Sequence, residues 1–175
     1  MVAGMAKVAG APLHPVLAGR YVVVVAAIAL RLGRSVAWIQ VRQEQLLSGT
    51  HGRGMTVRGR IGGDAGGRIR GIHFEILGDL GAYPQAGARV PFFTQYVIQG
   101  LYDIEHVEVR AVAAVTNKAP TGPYRGAGRP EGAIAIERAV DAFAAEVGLQ
   151  PEDVRRSNYI PSSALPFTTE TGALY

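Results

Sequence analysis

Residues 104–147 constrain the fold more than any other part of the chain. From Ile104 to Thr116, polar and apolar residues alternate, with Val107, Val109, Ala111, Ala113 and Val115 on one side. A period of two predicts a long, half-buried strand. Beyond an irregular loop, Ile136, Val140, Phe143 and Val147 recur at i, i+4, i+7 and i+11. That spacing predicts a helix over Pro130–Val147 with one apolar stripe. Pro130 suits a first helical turn and Gly148 a C-cap. A strand and a helix that each carry one apolar face must bury those faces against other elements.

The partners are legible upstream. Met55–Ile61 alternates, with Met55, Val57, Gly59 and Ile61 opposite Thr56, Arg58 and Arg60. The Gly- and Asp-rich run 62–67 is a turn signal, and Arg68–Leu77 reads as a second strand, so the two form a hairpin. Val22–Leu32 predicts a buried helix ending at Gly33, followed by a short strand over Ser35–Gln40 and a turn or helical piece over Arg42–Ser48. Pro91–Gln99 and Pro151–Asn158 predict short helices, with Asp79–Ala88 and Ile160–Tyr175 as loops. The expected fold class is α+β, a mixed sheet built from 55–61, 68–77 and 104–116 with helices packed on it.

Composition narrows the chemistry. Of 175 residues, 48% are hydrophobic and 18% charged, enough apolar surface for a sizeable core. There is no cysteine, which excludes disulfides, thiolate metal sites and a cysteine nucleophile on this chain. The net charge is +4, and only Lys7 and Lys118 of the 18 basic residues are not arginine. Such a balance suits an anionic ligand, or reflects an arginine-for-lysine bias without function. The most apolar run, Tyr21–Leu30, is half the length of a membrane span. A cytoplasmic chain with neither a membrane nor a nucleic-acid partner is the expectation. His14, His51, His73 and His106 lie far apart, and none stands at metal-ligand spacing with another His or a carboxylate. The arginine–glycine stretch His51–Gly71 lacks aromatic stacking partners and reads as a hairpin with a solvated arginine face.

One loop stands out. Thr116–Arg129, TNKAPTGPYRGAGR, joins the long strand to the strong helix and sets Arg125 and Arg129 around Gly126-Ala127-Gly128. Glycines let backbone N–H groups approach a ligand, and amides ahead of a helix N-terminus suit an anionic group. So many glycines also leave the loop few side chains of its own to hold it.

With its surroundings this loop resembles the molybdenum-binding large subunit of the xanthine dehydrogenase and aldehyde oxidase family, most closely the carbon monoxide dehydrogenase large-subunit branch. The resemblance rests on Tyr124-Arg125-Gly126-Ala127-Gly128, then Glu137-Arg138, then Arg155-Arg156-Ser157-Asn158-Tyr159. LGRSVAWIQVRQEQL (Leu32–Leu46), HGR (His51–Arg53), GDLGAY (Gly78–Tyr83) and PFTTETGALY (Pro166–Tyr175) also match, in order. It implies a partial molybdopterin-binding domain over 21–175 and an unmatched segment over 1–20. The family's glycine-rich phenylalanine loop is expected near residues 8–18, which read VAGAPLHPVLA. Its catalytic glutamate falls after the end of this sequence. The resemblance therefore implies a split, truncated or frameshifted large subunit that is inactive alone, or a non-catalytic remnant that keeps the core fold.

The resemblance also implies a molybdenum–molybdopterin cofactor, the cytosine dinucleotide form among the options. Iron–sulfur and FAD groups would sit on a small and a medium partner subunit. Tyr124, Arg125, Gly126, Ala127, Gly128 and Arg129 would edge the cofactor, with the Arg125 backbone nearest the metal and Arg129 holding an anionic group or simply starting the helix. Phe93 and Ala127 would face a small-molecule substrate. Carbon monoxide dehydrogenases carry a copper-binding cysteine where Gly126 stands, and purine-oxidising members a phenylalanine where Ala127 stands. A small aldehyde or an aromatic heterocycle is the better fit.

Overall fold

The computed structural model describes residues 7–8 and 15–175. Most of the unmatched opening stretch, including His14, lies outside them. The chain divides into two compact units, 1–50 and 51–175.

In the first unit, helix α1 runs over Pro15–Leu32, and strands β1 (Lys7–Val8) and β2 (Ala37–Trp38) pair in parallel. Helix α2 follows over Arg42–Ser48, its entry held by Glu44, which accepts a hydrogen bond from the Val41 N–H at 3.0 Å. The expected helix ending at Gly33 is present, but it is not buried along its length. Val25 is buried, whereas Val23, Val24, Leu30 and Leu32 are exposed. The predicted strand over 35–40 is two residues long, Ala37–Trp38, paired with β1.

The second unit is a three-stranded sheet in the order β3–β4–β5 with helices on one face. β3 (Met55–Gly63) and β4 (Ile69–Asp79) form the expected antiparallel hairpin, with Gly59 opposite Phe74. The turn is set by Asp64, whose Oδ1 accepts the N–H groups of Gly66 and Arg68, both at 3.1 Å. β5 (His106–Ala114) joins β4 in parallel, with Ile76 opposite Ala111. Parallel pairing needs a crossover, and residues 80–105 supply it. They carry α3 (Val90–Val97), one residue out of phase with the predicted start at Pro91.

Alternation places the core. Ile72, Phe74 and Ile76 of β4 point to one face and are buried. They meet Ile136, Val140 and Phe143 of α4 (Arg129–Val147), with Val147 packed half-buried beside them, the stripe read from sequence, and Ala144 joins the same core. The other face carries Arg58, Glu75 and Arg110 in one cross-strand row, and Arg60, His73 and Glu108 in the next.

Helix α5 (Pro151–Asn158) closes the unit through polar contacts. Asn158 is fully buried; its Nδ2 donates to the Gly67 carbonyl at 2.8 Å and its Oδ1 accepts the Ile69 N–H at 2.8 Å. Arg155 donates to Glu137 and to Asp141, each at 2.7 Å. The same Glu137 accepts the Tyr102 hydroxyl at 2.8 Å. Burial first, and then Glu137, raises the Tyr102 hydroxyl pKa well above its ordinary value. The motif residues Glu137, Arg155 and Asn158 therefore tie helices and hairpin together.

Phe143 sits at the centre of the α4 stripe, 6% exposed. Phe143→Ala is expected to lower unfolding free energy by about 3–5 kcal/mol, read from the urea midpoint. A loss below about 1 kcal/mol would contradict its place in the core.

Candidate functional site

The carboxyl ends of β4 and β5 lie side by side, with Asp79 opposite Ala114. The chain leaves β5 there and enters the glycine loop. Asp79 anchors the departure. Its carboxylate accepts Lys118 Nζ at 2.8 Å, the Thr116 hydroxyl at 2.6 Å and the Gly81 N–H at 2.9 Å. Its backbone carbonyl accepts the Thr121 hydroxyl at 2.6 Å. The Lys118 ammonium first, then these neutral donors, hold the Asp79 carboxyl down to about 2. His51 lies alongside: its N–H donates to the Pro120 carbonyl at 3.3 Å, and its own carbonyl accepts the Gly122 N–H at 2.8 Å.

The loop then folds back on itself. The Ala127 N–H donates to the Tyr124 carbonyl at 2.7 Å, and the Arg129 N–H to the Gly126 carbonyl at 3.0 Å. Gly126, Ala127 and Gly128 all take the left-handed conformation, with φ of 96°, 43° and 98°. Only glycine adopts such values freely. Space is also missing: a Cβ at Gly126 would meet the Pro130 ring at 2.7 Å. A Cβ at Gly128 would meet the Val90 carbonyl and the Thr94 N–H and hydroxyl, each at 2.8 Å. The buried Thr94 hydroxyl lies 3.2 Å from the Gly128 carbonyl, which binds the loop to α3.

Arg53, just before β3, reaches the loop from the other side. Its Nη2 donates to the Arg125 carbonyl at 2.8 Å and its Nη1 to Glu131 Oε1 at 2.9 Å. Its guanidinium carbon lies 5.1 Å from the centre of the Tyr124 ring, within cation–π range. The loop is thus held, by side chains from other elements rather than by its own. Arg53 was hidden inside a stretch that reads as solvated arginines, and the only hint was its place in the HGR match. Arg58 and Arg60 do face solvent as that reading expects.

The structure brings Tyr124 through Arg129 together as one turn at the N-terminus of α4. Tyr124, Arg125, Gly126 and Arg129 are exposed, Ala127 is half-buried and Gly128 is buried. Among the described residues, the N–H groups of Gly126 and Gly128 have no hydrogen-bond partner in the chain. Unspent amides at a helix start, flanked by two exposed arginines, fit an anionic group. Phe93 is exposed on α3, next in sequence to the Thr94 that grips Gly128.

These features define a tightly held glycine loop at the start of α4 on an α+β scaffold, and comparison with known proteins supplies the family. A family model described as "Molybdopterin cofactor-binding domain" matches residues 18–159. The chain belongs to that family. It is 39% identical over 147 residues to the 6-hydroxypseudooxynicotine dehydrogenase complex subunit gamma of Paenarthrobacter nicotinovorans, covering 83% of this chain and 18% of that one. It is 30% identical over 148 residues to the carbon monoxide dehydrogenase large chain of Hydrogenophaga pseudoflava, covering 82% and 18%. Quinoline 2-oxidoreductase from Pseudomonas putida 86 superposes with a TM-score of 0.79 at 34% identity, over 87% of this chain and 20% of that structure. The chain therefore spans about a fifth of the length of the proteins it resembles. Among the described residues, no helix is long and apolar enough to cross a membrane.

The low pKa of Asp79 has a pH consequence. A folded-state value below the unfolded one stabilises the fold above about pH 4, and that contribution is lost as pH falls towards 2. Asp79→Asn is expected to lower the urea midpoint at pH 7 and to flatten its fall between about pH 4 and pH 2. An unchanged acid profile would contradict the Asp79 anchor.

Proposed function

We propose that this chain is the loop-bearing piece of a molybdenum hydroxylase large subunit and that Tyr124–Arg129 forms one edge of the pterin cofactor site. The observation that carries the reading is the pair of unspent amides, Gly126 and Gly128, at a place where a side chain is excluded by both φ and space. A backbone bare of side chains lets a bulky group approach within hydrogen-bond distance. Membership of the molybdopterin cofactor-binding family supports the identity of that group.

When bound, the cofactor supplies the redox chemistry of hydroxylation. The chain's own residues bind and orient. The Gly126 and Gly128 N–H groups would donate to the cofactor, and the Arg125 backbone would be the contact to its metal. Arg129, exposed at the first position of α4, would hold an anionic group such as a phosphate, in either nucleotide form of the pterin. Ala127 and Phe93 face the substrate. Relatives named nicotine 6-hydroxylase (36% identical) and quinoline 2-oxidoreductase (34% identical) favour an aromatic nitrogen heterocycle as that substrate. The partial domain over 21–175 acts with the remainder of the large subunit and with iron–sulfur and FAD subunits in the cytoplasm. Alone it holds one edge of a site and is expected to be inactive.

The test joins the chain to the remaining segments of a related large subunit and measures bound molybdenum. Gly126→Val is expected to remove most of the metal, because a Cβ there would meet the Pro130 ring and φ of 96° is strained for a residue with a side chain, so the loop could not keep its shape. Arg125→Ala keeps the amide and is expected to retain more. Full molybdenum content in Gly126→Val would reduce the loop to a structural turn.

A further inference from the structure

We infer that Arg53 is a positioning residue for the cofactor loop, aiming the Gly126 N–H at the ligand by pinning the carbonyl on the other side of the same peptide bond. This rests on the reading of Tyr124–Arg129 as a cofactor edge.

A trans peptide is planar, and its C=O and N–H point in opposite directions. The Arg125 carbonyl and the Gly126 N–H belong to one such plane. Arg53 Nη2 holds that carbonyl at 2.8 Å, so the Gly126 N–H is turned away from Arg53 and left without a partner among the described residues. Glycine on one side of this plane would otherwise let it rotate. The second arm of the fork, Nη1, holds Glu131 in the first turn of α4 at 2.9 Å. The guanidinium also lies against the Tyr124 ring. One side chain therefore spans the loop from its entry to the helix it feeds.

The backbone of Arg53 shows that this arrangement costs free energy. Arg53 has φ of 66°; it and Ala127 are the only residues other than glycine with positive φ among those described. Both lie at this site. Left-handed conformations of residues with side chains persist where the surroundings over-determine them, and they cluster at functional positions. A glycine at 53 would take this backbone freely but could not reach the loop. A lysine would keep the charge but not the planar fork that meets two acceptors.

The experiment measures hydrogen exchange of the Ala127 and Arg129 amides in the 175-residue chain, with urea unfolding in parallel. It compares the parent with Arg53→Ala, Arg53→Lys and Arg53→Gly. Exchange at both amides is expected to quicken by at least about tenfold in Arg53→Ala, the scale of one lost charge-assisted hydrogen bond. Arg53→Lys is expected not to restore the parent rate. Arg53→Gly is expected to loosen the loop equally, yet to unfold at a urea midpoint at or above that of Arg53→Ala, since it is free of the left-handed cost. Unchanged exchange in Arg53→Ala, or full rescue by lysine, would overturn the inference. In the assembled subunit, Arg53→Ala is expected to lower bound molybdenum, and parental content in that variant would also overturn it. Normal molybdenum in Gly126→Val would instead strike the cofactor-edge reading, with the exchange result still deciding what Arg53 does to the loop.

Discussion

Parallel pairing of β4 with β5 is the constraint on which the rest of the second unit depends. It forces a crossover between the strands, and that crossover delivers α3 to the place where the chain leaves β5. It also sets the two carboxyl ends side by side, the position where open sheets present crevices to ligands. Asp79 at the end of β4 can then reach Thr116 and Lys118 just past the end of β5. A hairpin alone would have put the loop at the wrong edge, with neither α3 nor Asp79 beside it.

From that frame the loop is shaped by two grips and by the absence of side chains between them. Thr94 holds the Gly128 carbonyl from α3, and Arg53 holds the Arg125 carbonyl from the start of β3. What lies between is backbone in left-handed geometry, with the Gly126 and Gly128 N–H groups unpaired among the described residues. The sequence matches that identify the family divide into two kinds. Glu137, Arg155 and Asn158 bind α4, α5 and the hairpin to one another. Tyr124 to Arg129, together with the arginine of HGR, form the loop proposed above as the cofactor edge. Family resemblance marks both kinds alike, and only the contacts separate scaffold from site.

The strands and the long helix were legible because burial of one face imposes a period, and Ile136, Val140 and Phe143 repeat it without interruption. The ends were less so: β5 stops at Ala114, and beyond it the Thr116 hydroxyl bonds the Asp79 carboxylate. The apolar run in α1 correctly signalled a helix but not its exposure, because apolar content does not say what covers a residue. The glycine loop was legible as a turn leading into the long helix. Its clamp was not. Arg53 acts on residues more than 70 positions away, within a stretch whose alternating arginines mostly face water. Contact of that kind leaves no local period to read.

The central claim is that Gly126 and Gly128 hold their N–H groups free for the pterin cofactor. The most direct measurement is hydrogen exchange at those two amides in an assembled large subunit, with and without the cofactor loaded. The account predicts fast exchange in the empty subunit and strong protection at both positions once the cofactor is bound, beyond any change at amides of the outer sheet face such as Glu75. Equal exchange in the two states would contradict it.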